Sequence, residues 1–568
     1  MKNLRVGPLV RAISSNEVAI WTEWSHRCEV TLTATPTDHQ QEPGTFSVRS
    51  QTVKIGGRYY ALSRLTGLLP ATWYDYQVSD AVQERGPSSP AEGTTIQCFR
   101  TFDLPDAGSA LRLAYGSCRK LSTVEPDALS ALGPWLLRSL DQRESLWPRL
   151  LLLIGDQIYA DDRVGRPEQA HSSAQHAHAS QIVAAQPFEE FARMYEEAWA
   201  GDEGIRQVLA VLPTYMIFDD HEIANGWNIS PTWRAHALQQ GLEQTLVDGL
   251  VAYWVYQGWG NIGLRRADEH TLLAIMQHAA HNGEDALEAL RECMRQVVYE
   301  ETTPRWYYDI LTTPPIFVAD VRASRPALSH GTDPADVVPR IMNQEQMEQL
   351  RAWLQAHNAS TALLVSSVPA ILPPLIGFAE YMTGVPLLQG ASSGALRRLG
   401  RVLADGQQKL ARRMSFDHWP RFNATWRELI ALLASRKRDI VILSGDVHFS
   451  YAMTARRAFF PTQGHAVLYQ LVASPFRNTL ERRDKRLVLV QAWIKRAVYG
   501  GLHTRVLPLI RTEGAKRVPS DMLCQNVVAL VTCWPQRREV GKYCIRQVYL
   551  GVEKETLKEI AFTMVSRE

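Results

Sequence analysis

The feature that most constrains this 568-residue chain is a series of short aliphatic runs, each stopping at a polar tip. RLAYGSC (112–118), RLLLLIG (149–155), PTYMIFD (213–219), PPIFVADVR (314–322), ALLVSSV (362–368) and DIVILSGDVH (439–448) are mostly continuous rather than alternating. A strand that is dry on both faces needs no polar side, so these runs predict strands buried inside a layered sheet structure. Helical patterns lie between several of them. In NQEQMEQLRAWLQAH, Asn343 and Gln346 suit a capping box, while Met347, Leu350 and Leu354 share a face. Alternation of strand and helix predicts an α/β class. The stretches near 163–210, 228–305 and 370–430 are too long for ordinary connections and read as helical caps over a site.

The first 105 residues follow another pattern. VAIWTEW, CEVTLTA, TFSVRSQTVKI, YDYQVSDA and TTIQCFRTF alternate between Gly, Pro, Ser and Asn clusters, which predicts a small antiparallel β-sandwich. Pro70, Thr72 and Tyr74 in LTGLLPATWYDYQV resemble the tyrosine corner of fibronectin III-like domains. DLPDAGSA (103–110) reads as a linker, which divides the chain into 1–105 and 106–568. From about residue 526, NVVALVTCW, YCIRQVYLGV and EIAFTMV predict antiparallel additions to the sheet.

Hydrophobic residues make up 45% of the chain and charged residues 21%, so disordered and membrane-embedded classes are excluded. With 61 basic against 59 acidic residues, no global field favours nucleic acid, and no nucleic-acid-binding module is evident. The seven cysteines contain no CxxC pair, which fits a reducing compartment. The N-terminus lacks an apolar signal core, and no run approaches the roughly 18–20 apolar residues of a membrane span. The expectation is a cytoplasmic protein.

Ligands of α/β sheets gather beyond the carboxyl ends of strands. There the chain places Cys118, then Asp156 and Tyr159, then Asp219, Asp220, His221 and Asn225, then Asp446 and His448, with Asp320, Arg322 and Arg325 on a fifth strand. Carboxylates cannot converge uncompensated, since buried unpaired charges repel and lose hydration. A cation resolves the conflict. Sulfur, nitrogen and oxygen donors together suit a transition metal, and an all-oxygen half suits Ca²⁺, Mg²⁺ or Mn²⁺. Two such ions roughly 3.5–4 Å apart form a device for attack at phosphorus.

GSC, GDQIYAD, DDHEIANGW and GDVHFS, in this order behind a fibronectin-like domain, resemble the PhoD-type alkaline phosphatase family of the calcineurin-like metallophosphatase superfamily. The resemblance implies a four-layer αββα domain with helical insertions that hydrolyses phosphomonoesters or phosphodiesters. It implies iron (Fe³⁺) held by Cys118, Asp156, Tyr159 and His448, with Asp156 bridging to one or two calcium-like ions (Ca²⁺) held by Asp220, Asn225 and Asp446. Mn²⁺, Mg²⁺ and Zn²⁺ are alternatives. It places His221 against the phosphate or leaving group. Family members often read two consecutive asparagines where this chain reads Asn225-Gly226, which removes a contact made by the second. Arg119 and Arg322 or Arg325 are phosphate clamps on chemical grounds. The expected reaction is attack by a metal-activated water on a small-molecule phosphate ester, without a phosphoenzyme.

Duller readings stand beside these. Cys118 alone would be a small buried apolar residue. Asp320 is read as pairing with Arg322 or Arg325 structurally. Asp161 and Asp162 are read as ending the loop or capping the next helix. The His-rich HSSAQHAHA (His171, His176, His178) reads as a solvated loop. RNTLERRDKRLVLVQAWIKRAVYGG (477–501) reads as a basic helix over the core, with a membrane surface or polyphosphate as the alternative. Two other functions compete with hydrolysis: iron-based redox chemistry, and phosphate binding without turnover. Oligomeric state is not legible.

Overall fold

A computed structural model describes residues 3–37, 44–80, 95–105, 108–163, 187–228, 233–299, 302, 305–326, 339–385, 387, 394–458, 466–518 and 520–566. His171, His176 and His178 lie outside the described residues.

Two four-stranded antiparallel sheets form the N-terminal part. One pairs Leu4–Ile13, Glu17–Trp24, Arg58–Thr66 and Val53–Ile55 in that order, and the other pairs Phe46–Gln51, Glu29–Pro36, Trp73–Asp80 and Cys98–Arg100. Tyr74 Oη accepts from the Leu69 N–H at 2.7 Å, so the expected corner residue reaches back to the preceding turn.

The six aliphatic runs all contain strands, divided between two mixed sheets. Leu111–Gly116, Leu150–Ile154 and Thr214–Ile217 are parallel in a seven-stranded sheet. Ile316–Ala319, Ala362–Ser366, Ile440–Ser444 and Leu468–Val472 are parallel in a nine-stranded one. The C-terminal strands Val527–Pro535, Tyr543–Glu553 and Thr556–Ser566 extend the first sheet antiparallel, starting against Leu111–Gly116. Contact between the sheets includes the Tyr549 hydroxyl, which donates to the carbonyls of Tyr451 and Val472. Every residue of Leu150–Ile154 and Ile440–Ser444 is buried, which explains their lack of alternation.

The insertions divide by role. Helices within 187–298 pack against the N-terminal sheets. Arg11, fully buried on the first strand, donates to the carbonyls of Thr214, Tyr256 and Gln257 and to Asn261 Oδ1. Tyr256 and Gln257 belong to a π-helical turn, Trp254–Gly258, whose widened backbone turns these carbonyls toward the guanidinium. Arg58 similarly joins buried Glu23 to Glu189 and Glu196. By contrast, the region around 370–430 carries side chains to the strand ends.

The helix Gln344–Ala356 starts as expected, with Asn343 accepting from the Gln346 N–H at 2.8 Å. Gln346 does not complete the box. Its amide instead bonds the backbone N–H and C=O of Asp320. Asp320 is not an ion-pair partner either: its Oδ1 accepts from the N–H groups of Arg322 and Ala323, capping the turn that aims Arg322.

Candidate metal centre

The turns after the strands are wound left-handed at the residues of interest. Cys118 (φ 57°), Asp156 (φ 56°), Asp446 (φ 66°) and His448 (φ 58°) occupy a region that costs a non-glycine residue about 1–3 kcal/mol. Surrounding hydrogen bonds hold these turns: Arg119 N–H donates to Asp156 O at 2.9 Å, Phe476 N–H to Ser117 O at 2.8 Å, and Asp446 N–H to Ser117 Oγ at 3.0 Å. Gly155 has φ 85°, and a Cβ there would lie 2.5 Å from Asp219 Cβ, so only glycine fits between the two acidic tips.

Asp156 stands where the donor sets meet. Its carboxylate lies within 4.8 Å of ligand atoms of Cys118 and His448, of Asp220 and His221, and of Asp219, Asp220 and Asp446. Cys118 Sγ and Tyr159 Oη are both 3.3 Å from Asp156 Oδ2. Asn478 donates to Tyr159 Oη at 3.0 Å and lies 3.3 Å from His448 Nε2. Asp156 Oδ1, Asp219 Oδ2 and Asp220 Oδ1 are buried without a hydrogen-bond donor among the described residues. Orphaned buried carboxylate oxygens cost about 1–3 kcal/mol or more each, and a cation relieves that cost. The donor chemistry therefore fits metal ions. Asn225, also expected here, is exposed.

Electrostatics say the same. Burial, reinforced by Asp156 and Asp446, pushes the Cys118 thiol well above its usual pKa, and burial with Cys118 and Asp156 does so for Tyr159. Burial, with Asp220, Glu222 and Asp446 adding to it against His221, raises Asp156. Asp446 moves the other way despite burial, because His418 bonds it and Arg322 faces it. Burial lowers His448 to about 4, which leaves a neutral imidazole suited to coordination.

His221 stacks on the Tyr159 ring at 4.3 Å, and its Nδ1 lies 2.9 and 3.0 Å from the two oxygens of Asp161. Burial opposes its charged form, yet Asp156, Asp220 and Asp161 outweigh that and hold its pKa well above the ordinary imidazole value. Asp161 is thus no mere loop terminator, correcting the expectation. Asp162 does face outward, accepting from Lys120 and Ser122.

The arginines are placed differently from the phosphate-clamp expectation. Arg119 does not reach the cluster: its buried guanidinium donates to Asp127 and to the Ala198 carbonyl. Arg322 is buried among carboxylates, paired with Asp219 and Asp417 and lying 3.7 and 3.5 Å from Asp220 and Asp446. It neutralises acidic residues from beneath. Arg325 donates to the carbonyls of Val321 and Asp417 and lies over the Phe422 ring.

Sequence reasoning missed Asp417, His418 and Glu380. His418 Nε2 lies 3.1 Å from Asp446 Oδ2, and its Nδ1 lies 3.0 Å from fully buried Glu380. The signal was the Asp-His pair inside the aromatic segment SFDHWPRF. Glu222 was also missed. Its carboxylate accepts from the backbone N–H groups of Asp156, Gln157 and Asp219, and so fixes both acidic turns.

Residues 137–280 match the family model described as PhoD-like phosphatase. That segment is similar to the PhoD-like phosphatases. Residues 1–94 match a separate model, a domain of unknown function (DUF7800). Among solved structures, one titled "Structure of PhoD" superposes with a TM-score of 0.55 at 14% identity, covering 98% of this chain and 92% of that one. That likeness establishes a shared fold over nearly the whole chain. No curated protein matches it.

Proposed function

We propose that the chain is a metal-dependent phosphoesterase that hydrolyses small phosphomonoesters or phosphodiesters at a dinuclear centre. One observation carries the reading: among the described residues, Asp156 belongs to three of the four donor groupings, one with Cys118 and His448, one with Asp220 and His221, and one made of carboxylates alone. The Cys118, Tyr159 and His448 side suits iron, and the Asp220, Asn225 and Asp446 side suits calcium, with Mn²⁺, Mg²⁺ or Zn²⁺ as substitutes. Bound there, the cations would activate a water and neutralise charge on the phosphoryl oxygens.

The chain's own residues supply the rest. Asp161 orients His221 and stabilises its protonated ring, so that it can bind the phosphate or give a proton to the leaving oxygen. Glu380 fixes His418, which in turn orients Asp446, the arrangement by which outer residues tune ligands. Arg322 offsets carboxylate repulsion below the centre. Arg119 positions the turn after Cys118 by tying it to Asp127, rather than clamping substrate.

The same reading takes 1–105 as a fibronectin III-like sandwich and 106–568 as a four-layer αββα catalytic part, in a reducing compartment where a buried thiol such as Cys118 stays available. The test is metal analysis of purified protein, followed by chelation and readdition while hydrolysis of aryl phosphate mono- and diesters is measured. Turnover should vanish with the metals and return with them. Turnover that persisted after complete chelation would refute the dinuclear reading.

A further inference from the structure

A second surface, built from residues outside the donor cluster, has its own chemistry. The helix Arg482–Gln491 does not lay its apolar side on the core: Leu487 is 65% exposed, Val490 68%, and Trp493 just beyond it 88%. Val488 and Ala492 turn inward instead. The neighbouring helix Pro374–Gly384 touches this element and exposes Leu375, Phe378 and Met382, whose spacing forms a stripe on one face. Packed on it in turn, Gly394–Met414 exposes Leu399, Val402 and Leu410. Three contiguous helices thus hold large apolar side chains in water.

Cations surround that apolar surface. Arg482, Arg483, Lys485 and Arg486 are exposed, with Glu481 and Asp484 as their acidic neighbours in sequence, and Arg398, Lys409 and Arg413 are exposed on the long helix, where Asp405 is an exposed acid. A second copy of the chain would bring like charges face to face, which disfavours self-association. Nucleic acid would satisfy the cations and leave the aliphatic side chains wet. A bilayer with anionic headgroups meets both demands, since charge lies at its surface and hydrocarbon a few ångströms below, and tryptophan favours that boundary.

We propose that this face docks on an anionic lipid bilayer, lying along it. Among the described residues no helix is long and apolar enough to cross a membrane. Two elements of this face also adjoin residues of the candidate centre: Glu380 lies on the buried side of Pro374–Gly384, and Asn478 shortly precedes Arg482. The inference stands apart from the catalytic reading because it uses none of the donor residues.

The test is co-sedimentation of the full chain with vesicles of phosphatidylcholine alone or mixed equally with phosphatidylglycerol. Binding to the mixed vesicles at low salt, weakened at high salt, is expected, with little on phosphatidylcholine alone. Val490→Ser with Trp493→Ser should weaken partitioning by about tenfold or more, and Arg483→Glu with Arg486→Glu should abolish it. Unchanged circular dichroism melts show that both variants fold. Absence of binding to the mixed vesicles, or equal binding by parent and variants, would overturn the proposal. So would sedimentation velocity that showed a dimer dissociated by Trp493→Ser.

Discussion

The imidazole of His221 is gripped by the carboxylate of Asp161, with Nδ1 2.9 and 3.0 Å from its two oxygens. Asp161→Asn is expected to lower kcat about 10- to 100-fold, the usual cost of removing an orienting partner, while metal content stays near that of the parent. Asp162→Asn, which breaks exposed contacts to Lys120 and Ser122, should change stability by less than about 0.5 kcal/mol and leave kcat unchanged. Steady-state kinetics with elemental analysis on both variants check the contrast.

Asp156→Asn removes the carboxylate common to three donor groupings. Turnover should fall by at least about 100-fold, the low end of what metal-assisted and acid–base chemistry contributes, and added metal should not restore it. Cys118→Ser should lower occupancy of one metal class and spare the other, measured by elemental analysis after dialysis. Equal loss of both would contradict a division into two sides.

Arg322 is expected to act on stability rather than on substrate affinity. Arg322→Met leaves Asp219 and Asp417 buried without their partner, and breaking such a pair costs about 3–5 kcal/mol. Chemical denaturation of the metal-free protein should register that loss. A variant of undiminished stability with a raised KM for phosphate esters would restore the clamp role.

The pH dependence of metal uptake follows from the buried donors. Burial raises the pKa of the Cys118 thiol and the Tyr159 phenol well above ordinary values, so near neutrality the metal-free protein keeps both protonated. A cation binds the deprotonated forms and must displace those protons. Affinity should therefore rise with pH. Calorimetry in buffers of different ionisation enthalpy should report protons released on loading, and Tyr159→Phe should release fewer.

Much of this was legible in the chain. A strand buried on both faces has no reason to alternate, so LLLLI and IVILS were legible as buried strands. The division of the runs between two sheets was less visible, because parallel partners are chosen by long-range packing that no local pattern encodes. Asp161 was misread since an acidic residue after a strand looks the same whether it caps a helix or holds a histidine. Arg322 was misread for a related reason: whether a guanidinium meets phosphate or carboxylate depends on the neighbouring strands, here those ending in Asp219 and Asp446. Asp417 and His418 arrive from an insertion far along the chain, and only the folded topology joins them to Asp446.

Arg11 has a reach that its place on an N-terminal strand does not suggest. It bonds Gln257 and Asn261, Gln257 bonds Glu222, and Glu222 holds the backbone of Asp156 and Asp219. Arg11 also holds the Thr214 carbonyl, at the start of the strand that delivers Asp219 and Asp220. The amino-terminal sheets are therefore a foundation, not an appendage. Cutting between the two matched segments would part Arg11 from Thr214, Tyr256, Gln257 and Asn261, leaving each piece with a torn polar seam.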